Sequence, residues 1–229
     1  MQKVVILTGA GISAESGIST FRDVDGLWEG HDVMAVASPE GWNKDPELVL
    51  NFYNQRRRQL KTVIPNEAHL ALTRLEEKYN VVVITQNVDD LHERAGNSRI
   101  IHLHGELNKA QSTKVPTTVM DWKDDLCSGD LCPDGHQLRP YIVWFGEMVP
   151  MLEHAIHECE SGNIFIIIGT SMQVYPAASL ITYAPRGSQI YYIDPKPHIS
   201  YELSRLPNLK VIAEKATLGV INVVDQLLK

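Results

Sequence analysis

The stretch LTGAGISAESGISTFRD, Leu7 to Asp23, closes the apolar run that begins at Val4 and decides how the chain is read. Gly9, Gly11 and Ala14 fit G-x-G-x-x-G/A directly after a strand. In that pattern Gly9 permits a tight turn, Gly11 lets backbone approach a pyrophosphate, and the N-terminus of a following helix favours the phosphate charge. A plain strand-to-helix turn is the alternative. A dehydrogenase would place an acid at the end of its second strand, about 20 residues on, to hold the ribose. Here Asp23 and Asp25 lie in a polar loop with no strand before them. A dinucleotide is therefore expected in an altered pose.

Working outward, short apolar runs alternate with helical patterns. Residues 4–8, 81–85, 163–170, 189–194 and 209–213 read as strands, several apolar on both faces as in a buried parallel sheet. Helical periodicity covers about 46–61, 66–78, 151–160, 176–184 and 217–228. The expected fold is α/β: a Rossmann-like parallel sheet with helices on both faces. Two stretches break the rhythm. Residues 24–62 carry a helix where a second strand should come, and 107–141 are polar and lack long periodicity. We expect them to form a small second domain built from two insertions. Residues 1–23, 63–106 and 142–229 then make the nucleotide-binding domain of a single catalytic unit, 1–229.

Bulk composition narrows the class of function. A formal net charge of −7 argues against a broad basic field for nucleic acid. No apolar run approaches the roughly 18 residues of a membrane span, and no charged n-region precedes an apolar stretch with a cleavage site. Cys127, Cys132 and Cys159 make no disulfide framework. A cytoplasmic location is the expectation, without nucleic acid or membrane as partner.

Five motifs follow one another in order: GAGISAESGISTFRD (9–23), TQNVDDLH (85–92), HLHGEL (102–107), VWFGE (143–147) and GTS (169–171). Together they resemble the sirtuins, NAD-dependent protein lysine deacylases, over nearly the whole chain. The resemblance implies that NAD is consumed as a co-substrate, giving nicotinamide, free lysine and 2′-O-acyl-ADP-ribose by way of an acyl-imidate. It implies a catalytic pair of His104 and Asn87. It implies a cofactor set of Gly9, Ala10, Gly11, Ser13, Glu15, Phe21, Arg22, Gln86, Asn87, Asp89, Gly169, Thr170, Ser171, Asp194 and Ala216. The family's phenylalanine shields the reacting C1′ face, its arginine lies near phosphate, and it often has asparagine where this chain has Asp194. The backbone of Val143, Phe145, Gly146 and Glu147 would pair with an acyl-lysine peptide by strand addition. Acyl-lysine proteins or peptides, NAD and nicotinamide are the expected partners.

The residues themselves leave alternatives. Imidazole suits a general base because its unperturbed pKa lies near neutrality. On an extended HLHGE segment, however, His102 and His104 share a face, and with Glu106 they also suggest a metal site. Asn87 has the chemistry to bond a ribose or a water. Asp89 has the chemistry to accept from the nicotinamide amide, but Asp89 or Asp90 also reads as a helix N-cap. VWFGE reads equally as a core strand, and Arg22 as a solvated loop charge. HAIHE (154–158) does not match H-E-x-x-H and reads as a solvated helix face.

Residues 46–60, PELVLNFYNQRRRQL, form the most informative helix, with Asp45 as N-cap and Pro46 at its first position. At 100° per residue Leu48, Val49, Phe52 and Leu60 mark an apolar face. Arg56 falls inside that face, Tyr53 at its margin, and Arg57 and Arg58 elsewhere. An arginine in an apolar stripe needs an anionic partner, or is an internal ion pair or a snorkelling side chain. By resemblance, Tyr-x-x-Arg marks sirtuins that take acidic acyl groups. Arg56 would pair with a succinyl or malonyl carboxylate and Tyr53 would donate its hydroxyl. Desuccinylase and demalonylase activity is thus expected beside deacetylase activity.

One family feature is missing. Sirtuins hold zinc with two cysteine pairs, yet residues 108–118 contain no cysteine. Cys127, Cys132 and His136 make a partial set where structural zinc takes four ligands. Zinc is expected to be absent, with the small domain relying on packing around Trp122. The competing functions are a protein ADP-ribosyltransferase, a non-catalytic NAD or ADP-ribose sensor, and a zinc hydrolase built on His102, His104 and Glu106.

Overall fold

The structure is a computed structural model and describes residues 1–19 and 27–229. In chain order its elements are β1 (Lys3–Thr8), β2 (Leu27–Trp28), β3 (His31–Asp32), α1 (Val33–Val36), α2 (Pro39–Lys44), α3 (Pro46–Leu60), α4 (Glu67–Arg74), β4 (Asn80–Thr85), α5 (Leu91–Ala95), β5 (Ile100–His102), β6 (Gly105–Ser112), β7 (Val119–Asp121), β8 (Leu138–Ile142), α6 (Leu152–Glu160), β9 (Ile164–Ile168), β10 (Gln189–Ile193), α7 (Tyr201–Ser204), β11 (Leu209–Ile212) and α8 (Ala216–Leu228). Single 3-10 turns lie at Ala10–Ile12, Ala14–Ser16 and Leu75–Glu77, and a longer one at Ala177–Tyr183.

The continuous apolar runs become central strands because both of their faces are covered. The six-stranded sheet has the order β11-β10-β9-β1-β4-β5 and is parallel throughout. Val4, Ile6, Val81, Val83, Ile164 and Ile166 point to one side, into a core shared with α4 and α8. Val5, Leu7, Val82, Ile84, Phe165 and Ile167 point to the other, against α6 and the 177–183 turn. This is the period of two along a strand, with apolar residues on both phases. The sixth strand, β5, is three residues long and carries little periodicity of its own.

A separate antiparallel sheet, β7-β6-β8, stands beside the main one and packs on α3. Leu50 meets Ala110, Leu126, Cys132 and Leu138 in its core. Asn54 closes both backbone groups of Leu126, donating to its carbonyl at 3.0 Å and accepting from its N–H at 2.8 Å. Arg58–Asp125 and Lys61–Asp124 ion pairs line the rim.

Helix α3 begins as its sequence requires, with Asp45 accepting from Leu48 N at 2.9 Å. Its buried cation, however, is Arg57 rather than Arg56. Arg57 is 1% exposed; its Nε donates to Leu107 O at 2.9 Å and its Nη1 to Asn54 Oδ1 at 2.6 Å. Burial pulls its pKa down to about 10. The single-stripe projection failed because α3 is covered on two sides. The Val49–Phe52–Tyr53 side faces Trp144 and its neighbours, and the Leu50–Asn54–Arg57 side faces the small sheet.

The strand order reverses between β1 and β9, the adjacent strands from which the chain winds outward in both directions. There Gly9 N donates to Ile168 O at 3.0 Å and Gly11 N to Gly169 O at 2.8 Å. A Cβ on Gly11 would lie 2.5 Å from Gly169 Cα, and one on Gly9 2.9 Å from Gly169 O. Gly9 itself is extended (φ −128°), so what requires glycine there is space, not a special turn conformation. Directly after the motif the chain makes two 3-10 turns and reverses at Gly17 (φ 94°), with no α-helix among the described residues up to 19. Among the described residues of this loop, the expected α-helix N-terminus is replaced by 3-10 turns. Among the described residues no helix is long and apolar enough to cross a membrane.

Because the atoms facing Gly11 are backbone, the loops cannot yield to a methyl group without parting. Gly11→Ala should cost about 3 kcal/mol, the upper end of ordinary overpacking. Gly30→Ala, whose Cβ would meet open space at φ 79°, should cost only about 1–2 kcal/mol of backbone strain. Urea unfolding midpoints at equal m-values measure both, and equal losses would contradict the close-contact account.

Candidate active site

Ligands of parallel α/β sheets bind outside the carboxyl ends of the strands, near the reversal point. Most of the sequence-predicted residues gather there. After β1 come Gly9, Ala10, Gly11, Ser13 and Glu15; after β4 come Gln86, Asn87 and Asp89; after β9 come Gly169, Thr170 and Ser171; after β10 comes Asp194.

Ser13 is the hub of the polar contacts. Its hydroxyl donates to Asp89 Oδ2 at 3.0 Å and accepts from Asn87 Nδ2 at 3.2 Å. Asp89 Oδ1 accepts from Leu91 N at 3.1 Å, so Asp89, not Asp90, serves the first turn of α5. Burial raises the Asp89 pKa, which the bonds from Leu91 and Ser13 partly offset. Gln86 Nε2 donates to Thr170 Oγ1 at 3.0 Å and so ties the β4 loop to the β9 loop. Asp194 is buried and accepts from Lys196 N at 2.8 Å. Glu15 reaches across to α8, accepting from Thr217 N at 3.1 Å and Thr217 Oγ1 at 2.9 Å. That places its carboxylate beside Ala216 at the start of a 13-residue helix, where negative charge is favoured. Phe21 and Arg22 lie outside the described residues.

His102 and His104 follow one another but differ in chemistry. His102 places Nδ1 3.1 Å from Asn87 O and Nε2 2.6 Å from Glu93 Oε1. Both neighbours are acceptors, so both ring nitrogens serve as donors. Its pKa is raised: burial opposes the charge, but Glu93 prevails. His104 places Nδ1 3.1 Å from Gln86 O. A carbonyl only accepts, so Nδ1 carries the proton and Nε2 keeps its lone pair. Burial lowers the His104 pKa, against a smaller opposing effect of the Gln86 carbonyl. Glu106 pairs with Lys109. The three residues of the imagined metal site thus have separate partners.

On α3, Tyr53 is wholly buried and its hydroxyl accepts from Trp144 Nε1 at 3.1 Å. Burial pushes its pKa up. Arg56 is half-buried, with its Cζ 4.7 Å from the Phe52 ring centroid. Its Nη2 reaches Gln55 Oε1 at 3.4 Å, while buried Nε and Nη1 have no hydrogen-bond partner among the described residues. Burial lowers the Arg56 pKa, with Glu29 countering.

Residues 143–147 are not a free strand. Val143 N donates to His104 O and Phe145 N to Ala37 O, both at 2.9 Å, and the chain then turns at Gly146 (φ 89°). Glu147 is held by Arg139 and accepts from Trp144 N at 2.8 Å. Beside this segment runs a groove of about 1090 Å³ walled by Trp42, Leu50, Gln111, Arg139 and Trp144. A second cavity, about 600 Å³, lies near Asn163 and Gln226, at the opposite edge of the sheet from these residues.

The donor set for zinc does not fit. Cys127 is exposed, while Cys132 is buried and bonds Ser112. Ser112 Oγ also accepts from Lys114 N and Val115 N at 3.2 and 3.1 Å. Among the described residues no group of three or more His, Cys, Asp or Glu side chains is placed to hold a metal ion.

Sequence reasoning missed the buried support behind these loops: Thr85 and His92. A histidine beside Leu91, right after the Asp89–Asp90 cap, was the available signal.

A model of the Sir2 family matches residues 9–176. A protein of Helicobacter pylori named NAD-dependent protein deacylase is 59% identical over 230 residues, covering 100% of this chain and 99% of that protein. One of the same name from Bacteroides thetaiotaomicron is 54% identical, covering 96% and 95%. Among solved structures, a Sir2 homolog–NAD complex superposes with TM-score 0.87 at 38% identity, covering 99% of this chain and 91% of that one. A Sir2 bound to acetylated peptide superposes with TM-score 0.81 at 29% identity, covering 97% and 92%. The motif match, the near-complete relatives and the shared architecture lead to one conclusion: this chain belongs to the Sir2 family.

Proposed function

We propose that this protein is an NAD-dependent protein lysine deacylase whose substrates include lysines carrying acidic acyl groups. The deacylase reading is carried by one observation above the others. His104 stands at the carboxyl edge of the sheet, beside the glycine loops, with Nδ1 committed to a backbone carbonyl and Nε2 available to take a proton. The names and ligands of the relatives support it.

Residues 1–23, 63–106 and 142–229 form the NAD-binding part, and 24–62 with 107–141 the small domain. The loop Gly9–Ala10–Gly11 and the loop Gly169–Thr170–Ser171 hold the dinucleotide from two sides, with Ser13, Glu15, Gln86, Asp89, Asp194 and Ala216 around them. Phe21 and Arg22, which the resemblance would add to this set, lie outside the described residues. NAD supplies the ribose hydroxyl and the carbon that accepts the acyl oxygen as nicotinamide leaves. Asn87 orients the ribose, and His104 Nε2 takes the proton of its hydroxyl. Val143, Phe145, Gly146 and Glu147 flank the peptide. The N–H groups of Val143 and Phe145 are committed to His104 O and Ala37 O within the chain.

The acidic-acyl reading rests on Arg56. A guanidinium with two buried nitrogens that lack a hydrogen-bond partner among the described residues, and with Glu29 only partly offsetting its burial, is receptive to an anion. Tyr53, three residues earlier on α3 and wholly buried, accepts from Trp144 and still has its own hydroxyl proton to give. A protein ADP-ribosyltransferase or a silent NAD sensor would have no use for this pair.

A panel of acetyl-, malonyl- and succinyl-lysine peptides, assayed with and without NAD, tests the reading. Turnover without NAD, or none with it, would overturn it. His104→Ala should lower kcat by roughly 10² to 10⁴, the usual worth of a general base, while NAD still binds in calorimetry. Because the base is needed neutral and its pKa lies below the ordinary value, the acid limb of kcat/KM should have its midpoint below about 6.5. A midpoint above 7 would exclude His104 as that group. Arg56→Met should cut desuccinylation by about ten- to hundredfold, the equivalent of about 1.5–3 kcal/mol for a charged hydrogen bond, and spare deacetylation. Equal losses on succinyl and acetyl peptides would make Arg56 a structural residue.

A further inference from the structure

The peptide unit between Gln86 and Asn87 does two things at once. Its carbonyl takes the proton of His104 Nδ1 at 3.1 Å, and its N–H donates to Thr85 Oγ1 at 3.0 Å. Thr85 continues inward. Its hydroxyl lies 2.8 Å from that of Thr8, its register partner on β1, and Thr8 Oγ1 lies 3.1 Å from His92 Nε2. His92 Nδ1 in turn lies 3.2 Å from Asn97 Oδ1. Asn97 is oriented by Glu76, whose carboxylate faces Asn97 Nδ2 at 3.5 Å and accepts from Ser98 N at 2.9 Å. Thr8, Thr85 and His92 are all buried.

These contacts have one consistent set of protons. Asn97 presents its oxygen, so His92 carries its proton on Nδ1 and accepts at Nε2. Thr8 has one hydroxyl proton and gives it to His92. Thr85 gives its proton to Thr8, and Thr85 is left to accept from Asn87 N. Every donor and acceptor is used once, in one direction.

We propose that His92, Thr8 and Thr85 are positioning residues for catalysis: this buried chain fixes the Gln86–Asn87 peptide plane, and through it the tautomer and aim of His104. The inference rests on the reading of His104 as the base. The chain keeps its direction only while His92 is neutral. Burial, with the neighbouring His69 and His102, pulls the His92 pKa down to about 3 against the bond to Asn97 and the charge of Glu93. His69 packs edge-on at 5.0 Å and is itself held neutral by burial, at about 4.

Thr85→Val keeps the shape of the side chain and removes the hydroxyl. In ¹⁵N NMR of the imidazoles at pH 7.5, wild-type His104 should be an Nδ1–H tautomer, and in Thr85→Val a mixture of both. With acyl-peptide and NAD, kcat should fall roughly tenfold or more, as small misplacements of a reacting group do, while both KM values stay within about threefold. Thr85→Ser, which restores the hydroxyl, should restore both readouts, and His92→Gln, which can still accept from Thr8, should lose less than His92→Leu. If Thr85→Val does not fold, Thr8→Val breaks the next link and is judged by the same readouts. A folded variant with an unchanged His104 tautomer and unchanged kcat would overturn the proposal. If the wild type itself does not deacylate, it is the functional reading that fails, and the tautomer comparison still decides this one.

Discussion

Two strands that carry opposite halves of the sheet outward must meet with their following loops almost in contact, and in this protein that meeting is backbone against backbone. Gly9 and Gly11 on one side and Gly169 on the other leave no room for a Cβ, and each loop donates or accepts the other's main-chain hydrogen bonds. The crevice outside β1 and β9 has its floor at that contact. Thr170 is carried next to Gln86, and Ser13 next to Asn87 and Asp89, because the loops are held at that spacing. The glycines of a dinucleotide motif are usually discussed for the approach of the phosphate. Here the approach of protein to protein asks for them first.

Around that floor the protein sorts its histidines by burial and by charge. His102 has a carboxylate at 2.6 Å and is driven towards the charged form. His104, two residues on, has only a carbonyl and is driven towards the neutral form. Burial disfavours the charge on both rings, and the Glu93 carboxylate is what separates them. Arg56 and Arg57, adjacent in sequence, differ likewise: Arg57 bonds Leu107 O and Asn54, while Nε and Nη1 of Arg56 have no hydrogen-bond partner among the described residues.

The main sheet was legible because buried parallel strands are apolar on both phases, as residues 81–85 and 164–168 are. Helix α3 was legible from Asp45, Pro46 and its period. Its buried arginine was not, since a projection onto one stripe has no knowledge of a second covering element. Strand β5 is too short to carry a pattern, and the turn at Gly146 is hidden in a run that reads as extended. Glu15 looks like part of a glycine loop, yet its carboxylate meets a helix 202 residues away. At the site, the motifs picked out residues that lie on the loops after β1, β4, β9 and β10. The hydroxyls behind them were invisible, because a threonine at a strand end is an ordinary β residue until its partners are known.

The small domain suggests a different economy from that of zinc-bearing sirtuins. Ser112, Asn54 and Arg57 knit its loops with side-chain hydrogen bonds, and Cys132 is a packed thiol rather than a ligand. Each of those bonds is directional, so the loops of the small sheet and α3 take their places together. Loosening any one of Asn54, Arg57 or Ser112 would therefore be felt across every loop that it joins, so the small domain holds its shape as a set of mutually dependent pins rather than as separate ones.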